Sequence, residues 1–142
     1  MPTGNEIQEF AEAVGAFEPT PDYEGYWQWR ALFKRRNYFI LQGCFMIVKI
    51  SRTGRPFWGV DKKYIDLLNK LDNFYLVLLV SAGEGWVFSK SQVNMHIASK
   101  RWEVAKDNNY KINPPLPDVN WFIGVEQFFM RAAFPSESRN VP

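Results

Sequence analysis

Several features that would point directly to a function are missing from this sequence. The 142 residues include one cysteine, Cys44, and one histidine, His96. These counts exclude an internal disulfide and a metal site built from several histidines. Segment 1–25 has no lysine or arginine, unlike the start of a secretory signal. The longest apolar run, Phe74–Val80, is far shorter than the roughly 20 residues that span a bilayer. We therefore expect a cytoplasmic protein that does not enter a membrane.

The motifs of common active sites are missing as well. Gly83-Glu84-Gly85 lacks the glycines and the Lys-Ser or Lys-Thr pair of a phosphate-binding loop, so it is expected to form a turn. A serine triad would need His96, but the sequence has no nucleophile elbow. Cys44 begins an apolar segment and is expected to behave as a small buried side chain. The sequence therefore predicts no metal site and no cofactor.

What the sequence does contain is enough apolar material for a folded core. Hydrophobic residues make up 46% of the chain and aromatic residues 17%, which is too much for a disordered protein. The length is typical of one domain, which we expect over residues 1–134. The polar residues 135–142 are expected to form a flexible tail.

Apolar periodicity predicts alternating helices and strands. Spacings of three and four predict helices over residues 6–16, 62–71, 91–99 and 118–133. Alternating or continuous apolar residues predict strands over 26–33, 38–41, 44–51, 74–81 and 86–88, followed by a hairpin over 102–112. The expected fold class is α+β. Its central mixed β-sheet would contain an antiparallel three-strand meander and be flanked by helices.

Charge is distributed unevenly along the chain. Segment 1–25 has six acidic side chains and no basic one, whereas Tyr26–Lys63 has nine basic side chains and one acidic one. A basic middle segment can bind phosphates. Alternatively, the acidic segment packs beside the basic one and neutralises it. The candidate nucleic-acid-binding residues are Lys34, Arg35 and Arg36 at a hairpin tip, with Arg52 and Arg55.

Lys49 stands out because it is the only charged residue between Asn37 and Ser51. The two-residue period of a strand places it on one face with Phe45, Ile47 and Ser51. A buried lysine without a partner is costly. Lys49 therefore either extends from the strand end into water or lies beside an anion.

The order helix, three strands, helix, strand over about residues 5–90 resembles the restriction-endonuclease-like superfamily of PD-(D/E)xK nucleases. The tracts Ile47–Ser51 and Gly54–Gly59 carry the resemblance. It implies an acid and a lysine two residues apart on one strand, with an aspartate on the preceding strand. The two acids hold a divalent metal, and the lysine steadies the attacking water.

The sequence departs from this pattern at the metal ligands. Lys49 matches the lysine of the family, but Ile47 occupies the position of the acid, and Asn37 is the best match for the aspartate. An amide is a poor metal ligand, and an aliphatic side chain is none. The resemblance thus implies a nuclease-like fold in which Asn37, Ile47 and Lys49 are remnants of a catalytic site.

Three functions follow as hypotheses. The first is a catalytically inactive nuclease-like domain that binds DNA or RNA, or a partner associated with nucleic acid. The second is a protein–protein interaction module, such as an immunity or accessory subunit, or a homodimer formed through the apolar 118–133 helix. The third is a Mg²⁺-dependent nuclease with relocated acids, with Glu9, Glu12 and Asp61 as candidates.

Overall fold

The computed structural model describes residues 5–23, 26–32 and 37–134. The helices are α1 (Glu6–Val14), α2 (Tyr26–Leu32), α3 (Lys62–Leu68), α4 (Lys90–Ala98) and α5 (Gly124–Ala132). The strands are β1 (Tyr38–Leu41), β2 (Cys44–Ile50), β3 (Trp58–Asp61), β4 (Phe74–Ser81), β5 (Glu84–Ser89), β6 (Glu103–Val104), β7 (Asn109–Ile112) and β8 (Trp121–Ile123). A short 3-10 helix, Asp118–Asn120, precedes β8. Within these described ranges, every helix is too short or too polar to cross a bilayer.

Two sheets organise the chain as an α+β protein. The larger sheet has the strand order β1-β2-β4-β5-β8, in which β2 and β4 are parallel and the other neighbours are antiparallel. The smaller sheet is antiparallel, with the order β3-β7-β6. Parallel strands need a long crossover connection, and the connection between β2 and β4 contains β3 and α3. The expected mixed sheet is therefore confirmed.

Strand β2 separates two apolar clusters, one on each face of the larger sheet. Phe45 and Ile47 belong to the first cluster, whereas Met46 and Val48 belong to the second. These four residues are at most 1% exposed. The two-residue period read from the sequence therefore gives the correct faces of this strand.

Different elements cover the two faces. The first cluster also contains Trp58, Ile65 and Val93, from β3, α3 and α4. The second contains Phe10 of α1 and Phe128 of α5. The two aromatic rings meet edge to face, with centroids 5.1 Å apart. The larger sheet is thus a central layer between α1 and α5 on one side and α3, α4 and the smaller sheet on the other.

Side-chain caps begin two of the helices. The Asp61 carboxylate accepts a hydrogen bond from the Lys63 backbone N–H at 2.8 Å and begins α3. Ser89 and Gln92 form a capping box at the start of α4. Each cap satisfies backbone N–H groups that the first turn of a helix leaves unpaired. The predicted 102–112 hairpin is present as the antiparallel pair β6 and β7.

The predicted strand over 26–33 is wrong, because Tyr26–Leu32 is the helix α2. The prediction relied on Trp27 and Trp29 sharing one face. Residues two apart lie on nearly opposite sides of a helix, and Trp27 is 71% exposed whereas Trp29 is 5% exposed. The Trp29 ring packs on Phe45 with centroids 4.4 Å apart. The described sheet consequently has β1 and β2 where a three-strand meander was expected.

The predicted helix over 118–133 is also wrong in its first half. Trp121–Ile123 forms the edge strand β8 against β5, and α5 begins only at Gly124. Gly124 has φ +85°, a backbone conformation that side-chain-bearing residues rarely adopt. This residue allows the chain to turn from strand into helix. The sequence patterns also gave no prediction of β3, Trp58–Asp61.

Candidate functional site

A cleft of about 260 Å³ lies where β2 ends, and its lining includes Lys49, Ser51, Arg52, Thr53 and Gly59. The strand is fully buried through Val48, and Lys49 is its first half-buried polar residue. The chain leaves the larger sheet here and, after the loop 51–57, enters the smaller sheet as β3. The apolar pattern of β2 thus brings Lys49 to the edge of the core, where its ammonium can face water or an anion.

Hydrogen bonds hold the loop that forms one wall of the cleft. The Ser51 backbone N–H donates to the Leu79 carbonyl at 3.0 Å, which ties the loop to β4. The Ser51 hydroxyl oxygen accepts from the Phe57 backbone N–H at 3.1 Å and lies 3.2 Å from the Thr53 hydroxyl. The Thr53 hydroxyl also donates to the Arg55 carbonyl at 2.6 Å. The cleft is therefore a constrained feature of the fold.

The charges of the cleft are mainly positive. Lys49 and Arg52 are its charged lining residues, and no carboxylate is among the described side chains that line it. Arg52 forms an ion pair with Glu6 of α1 at 3.3 Å. The acidic start of the chain therefore neutralises part of the basic segment, at Arg52. Arg55 is exposed on the adjoining loop.

For three of the five predicted nucleic-acid-binding residues the structure gives no placement. Lys34, Arg35 and Arg36 lie outside the described residues. Arg52 and Arg55 lie on the same short loop, three residues apart. The structure therefore brings Lys49, Arg52 and Arg55 into one region around the end of β2.

Asn37 immediately precedes β1 and lies beside Ile47 and Val48 of β2. Ile47 pairs with Tyr38, and the Asn37 carbonyl accepts a hydrogen bond from the Val48 backbone N–H at 2.9 Å. The Ile47 side chain is fully buried in the first apolar cluster. Its environment is that of a core residue, and a carboxylate there would be costly without partners.

The candidate relocated acids do not form a common site. Glu9 and Glu12 are exposed on α1, whereas Asp61 caps α3. Across residues 5–23, 26–32 and 37–134, no group of three or more His, Cys, Asp or Glu side chains is arranged to hold a metal ion.

Cys44 and His96 lie on opposite sides of the larger sheet. Cys44 belongs to the second apolar cluster, and burial raises the pKa of its thiol. His96 packs against Phe88 and Trp102 of the first cluster. A cysteine–histidine pair is therefore excluded, because the sheet separates the two side chains.

The sequence reading missed a second cleft, of about 350 Å³, beside His96. Its lining comes from the end of α4, the residues that follow it and the loop 113–117. The proline-rich loop lies outside the helices and strands. Nothing in the spacing of these segments indicates that they meet.

Comparisons with known proteins provide no relative from which a role for either cleft could be transferred. Neither the family models, nor the curated proteins, nor the solved structures give a match to this chain.

Proposed function

We propose that this chain is a catalytically inactive, nuclease-like domain that binds nucleic acid through the cleft at the end of β2. The observation that carries the proposal is the lining of that cleft. Lys49 and Arg52 contribute positive charge, Ser51 and Thr53 contribute hydroxyl groups, and no described lining residue is acidic. Cations and hydroxyls are the groups that proteins use most to contact backbone phosphates.

The arrangement of the sheet supports the nuclease-like part of the proposal. In the family pattern, the strand with the aspartate lies beside the strand with the acid and the lysine. Here Asn37, at the position of the aspartate, lies next to Ile47 and Val48. It also needs a helix between the latter strand and the next one, which α3 supplies between β2 and β4. The helix α2 in place of the first strand is a departure from the pattern.

The chemistry of these positions favours binding over catalysis. An amide at Asn37 and an aliphatic group at Ile47 supply neither of the two carboxylates that the family uses for its metal. Lys49 does not depend on a metal to attract a phosphate. Of the three family positions, Lys49 is therefore the one whose side chain can still contact a phosphate.

The alternative of a protein-interaction module relies on β8 and α5. The inner residues Phe122, Phe128 and Ala132 are buried in the core, which accounts for much of the apolar arc seen in the sequence. Ile123, Val125 and Met130 are exposed. Separate exposed apolar residues are common on protein surfaces, so the cationic cleft favours phosphate binding as the first proposal.

Nucleic-acid binding is tested by fluorescence anisotropy with labelled single-stranded DNA, duplex DNA and RNA over a series of salt concentrations. We expect the wild type to bind at low salt and to lose affinity as salt is added. Replacing Arg52 and Arg55 together with alanine should weaken binding. If both side chains contact phosphates, the slope of log K against log salt should also fall by roughly 1.4 for single strands.

The matched control is Lys106→Ala, which removes an exposed charge outside the basic segment. Arg55→Ala alone is the second variant, because it leaves the Arg52–Glu6 ion pair intact. Thermal unfolding verifies that each variant is folded. The proposal is refuted if the wild type does not bind at low salt, or if Lys106→Ala weakens binding as much as Arg55→Ala, which removes the same number of charges.

A further inference from the structure

The second cleft lies between the end of α4 and the loop 113–117. Its lining includes His96, Arg101, Trp102, Asn113, Pro115 and Leu116. Its volume of about 350 Å³ is at the small end of the range for ligand pockets. The walls combine an indole, an imidazole and proline rings with one guanidinium and one amide. No described lining residue is acidic.

His96 is the unusual side chain of this cleft. The residue is 2% exposed, and neither of its ring nitrogens has a hydrogen-bond partner among the described residues. Its ring stacks on Trp102, with centroids 4.6 Å apart and an interplanar angle of 16°. A buried polar group without a partner destabilises a fold. Such a group in a cleft wall is therefore a candidate ligand contact.

The protonation state of His96 determines what it can bind. Burial lowers the pKa of the imidazole, and the nearby Arg101 guanidinium lowers it further. The ring is therefore neutral near pH 7 and offers one N–H donor and one nitrogen acceptor. Arg101 is exposed and always charged. The cleft thus presents a cation toward solvent and a neutral hydrogen-bonding ring in its wall.

We propose that this cleft binds a small heteroaromatic carboxylate. The carboxylate would pair with the Arg101 guanidinium, and the planar ring would lie against the Trp102 and proline surfaces. A ring heteroatom would exchange a hydrogen bond with His96. Because His96 and Trp102 are at most 4% exposed, the loop 113–117 must move outward for the ligand to reach either ring. This site is independent of the nucleic-acid cleft.

The single histidine makes a direct test available. In ¹⁵N-labelled protein, the imidazole nitrogens give one set of signals, and these signals belong to His96. Nicotinate is the probe, because it is planar, anionic and has a ring nitrogen that accepts a hydrogen bond. We expect its titration to shift the His96 nitrogen signals with a Kd of about 0.1–1 mM, as is reasonable for so small a ligand.

Matched compounds and variants separate the contributions. Nicotinamide lacks the charge and cyclohexanecarboxylate lacks the planar ring, so each should bind at least about tenfold more weakly. Arg101→Gln should also lower the affinity for nicotinate about tenfold. Lys70→Gln should leave the affinity for nicotinate unchanged. It removes the same charge from an exposed residue outside the cleft. His96→Phe should also weaken nicotinate binding, although it keeps an aromatic ring on Trp102. Saturation transfer to the ligand measures binding in this variant, which has no histidine signal.

Three results would overturn the proposal. The first is the absence of any His96 shift with nicotinate at roughly ten times the expected Kd. The second is equal binding of nicotinate and nicotinamide. The third is an unchanged affinity for nicotinate in both Arg101→Gln and His96→Phe. The His96 signals verify that Arg101→Gln is folded, and thermal unfolding verifies this for His96→Phe.

Discussion

His96 and Lys49 illustrate how the environment of a single residue sets its chemistry. Both are polar residues next to the first apolar cluster, yet Lys49 is half-buried at a strand end and His96 is almost fully buried in a ring stack. A long lysine side chain can extend its ammonium to the surface from such a position. An imidazole has no such reach, so burial keeps it neutral. The histidine therefore links the stability of the fold to pH.

The pH dependence from His96 has a definite sign. The pKa of His96 is lowered in the folded protein, whereas an unfolded histidine has a pKa of about 6.5. Above that pH both states hold a neutral ring. As the pH falls below it, the unfolded chain takes up a proton that the folded protein does not. The free energy of unfolding should therefore decrease, by at most about 1.4 kcal/mol per pH unit from this group.

Urea unfolding of the wild type and His96→Phe between about pH 7.5 and pH 5 measures this effect. The variant cannot take up the proton, so its stability should change less with pH over that range. Carboxylates contribute equally to both proteins and cancel in the difference. Parallel pH curves for the two proteins would contradict the assignment.

At the scale of elements, the edges of the larger sheet are protected from pairing with another chain. Phe17 forms an antiparallel bridge with Ile40 on the β1 side. On the β8 side, Gln127 accepts from the Ile123 backbone N–H at 2.8 Å, and Arg131 donates to the Trp121 carbonyl at 3.0 Å. These contacts occupy backbone groups that an added strand would need.

Strands β4 and β5 leave no room for a side chain at Gly85. This residue pairs with Leu79, next to a register shift between Leu79 and Ser81. A Cβ atom on Gly85 would overlap the Leu78 carbonyl oxygen and lie 2.9 Å from the Leu79 Cα. We expect Gly85→Ala to destabilise the protein by about 2–4 kcal/mol, because backbone atoms on both strands must shift.

Gly83→Ala is the matched control, since a Cβ at Gly83 in the same hairpin meets nothing within 4 Å. Thermal or urea unfolding of the two variants provides the comparison. Equal stability of the two variants would mean that β4 and β5 can separate at Gly85 without cost.

At the scale of the whole molecule, the acidic start of the chain contacts the basic middle through the Glu6–Arg52 ion pair. Glu6 of α1 and Arg52 of the cleft loop are 46 residues apart in sequence, and their side chains are 3.3 Å apart. The Glu6 side chain is more buried than that of Arg52. A phosphate in the cleft would have to share Arg52 with this carboxylate. The first helix therefore moderates the charge that the cleft offers.

Replacing Glu6 with glutamine removes this competition. If nucleic acid binds at the cleft, its affinity should rise about twofold to fivefold, the range expected for loss of a partly exposed ion pair. Anisotropy at low salt measures the change. Glu9→Gln is the control, because it removes the same charge from an exposed position on the same helix. An equal rise in both variants would indicate an effect of net charge and would contradict local competition.

Short-range patterns in the sequence determined many of the elements. These patterns involve residues that are close together in sequence. They are the continuous apolar residues of β2 and β4, the apolar spacing in α1, and the hydrogen-bonding caps Asp61 and Ser89. The two faces of β2 follow from the alternation of side chains along a strand. Lys49 at the edge of the core could also be read from the sequence, since it follows a run of apolar residues.

Only the tertiary structure decided which segments meet. Tyr26–Leu32 alternates like a strand but is a helix, because Trp29 packs on Phe45 while Trp27 lies in solvent. Trp121–Ile123 was predicted to be helical but is a strand, because it pairs with the edge of β5. The pair Glu6–Arg52 and the His96 cleft join residues distant in sequence. Such contacts depend on how the layers pack, and a local pattern of residues does not record that packing.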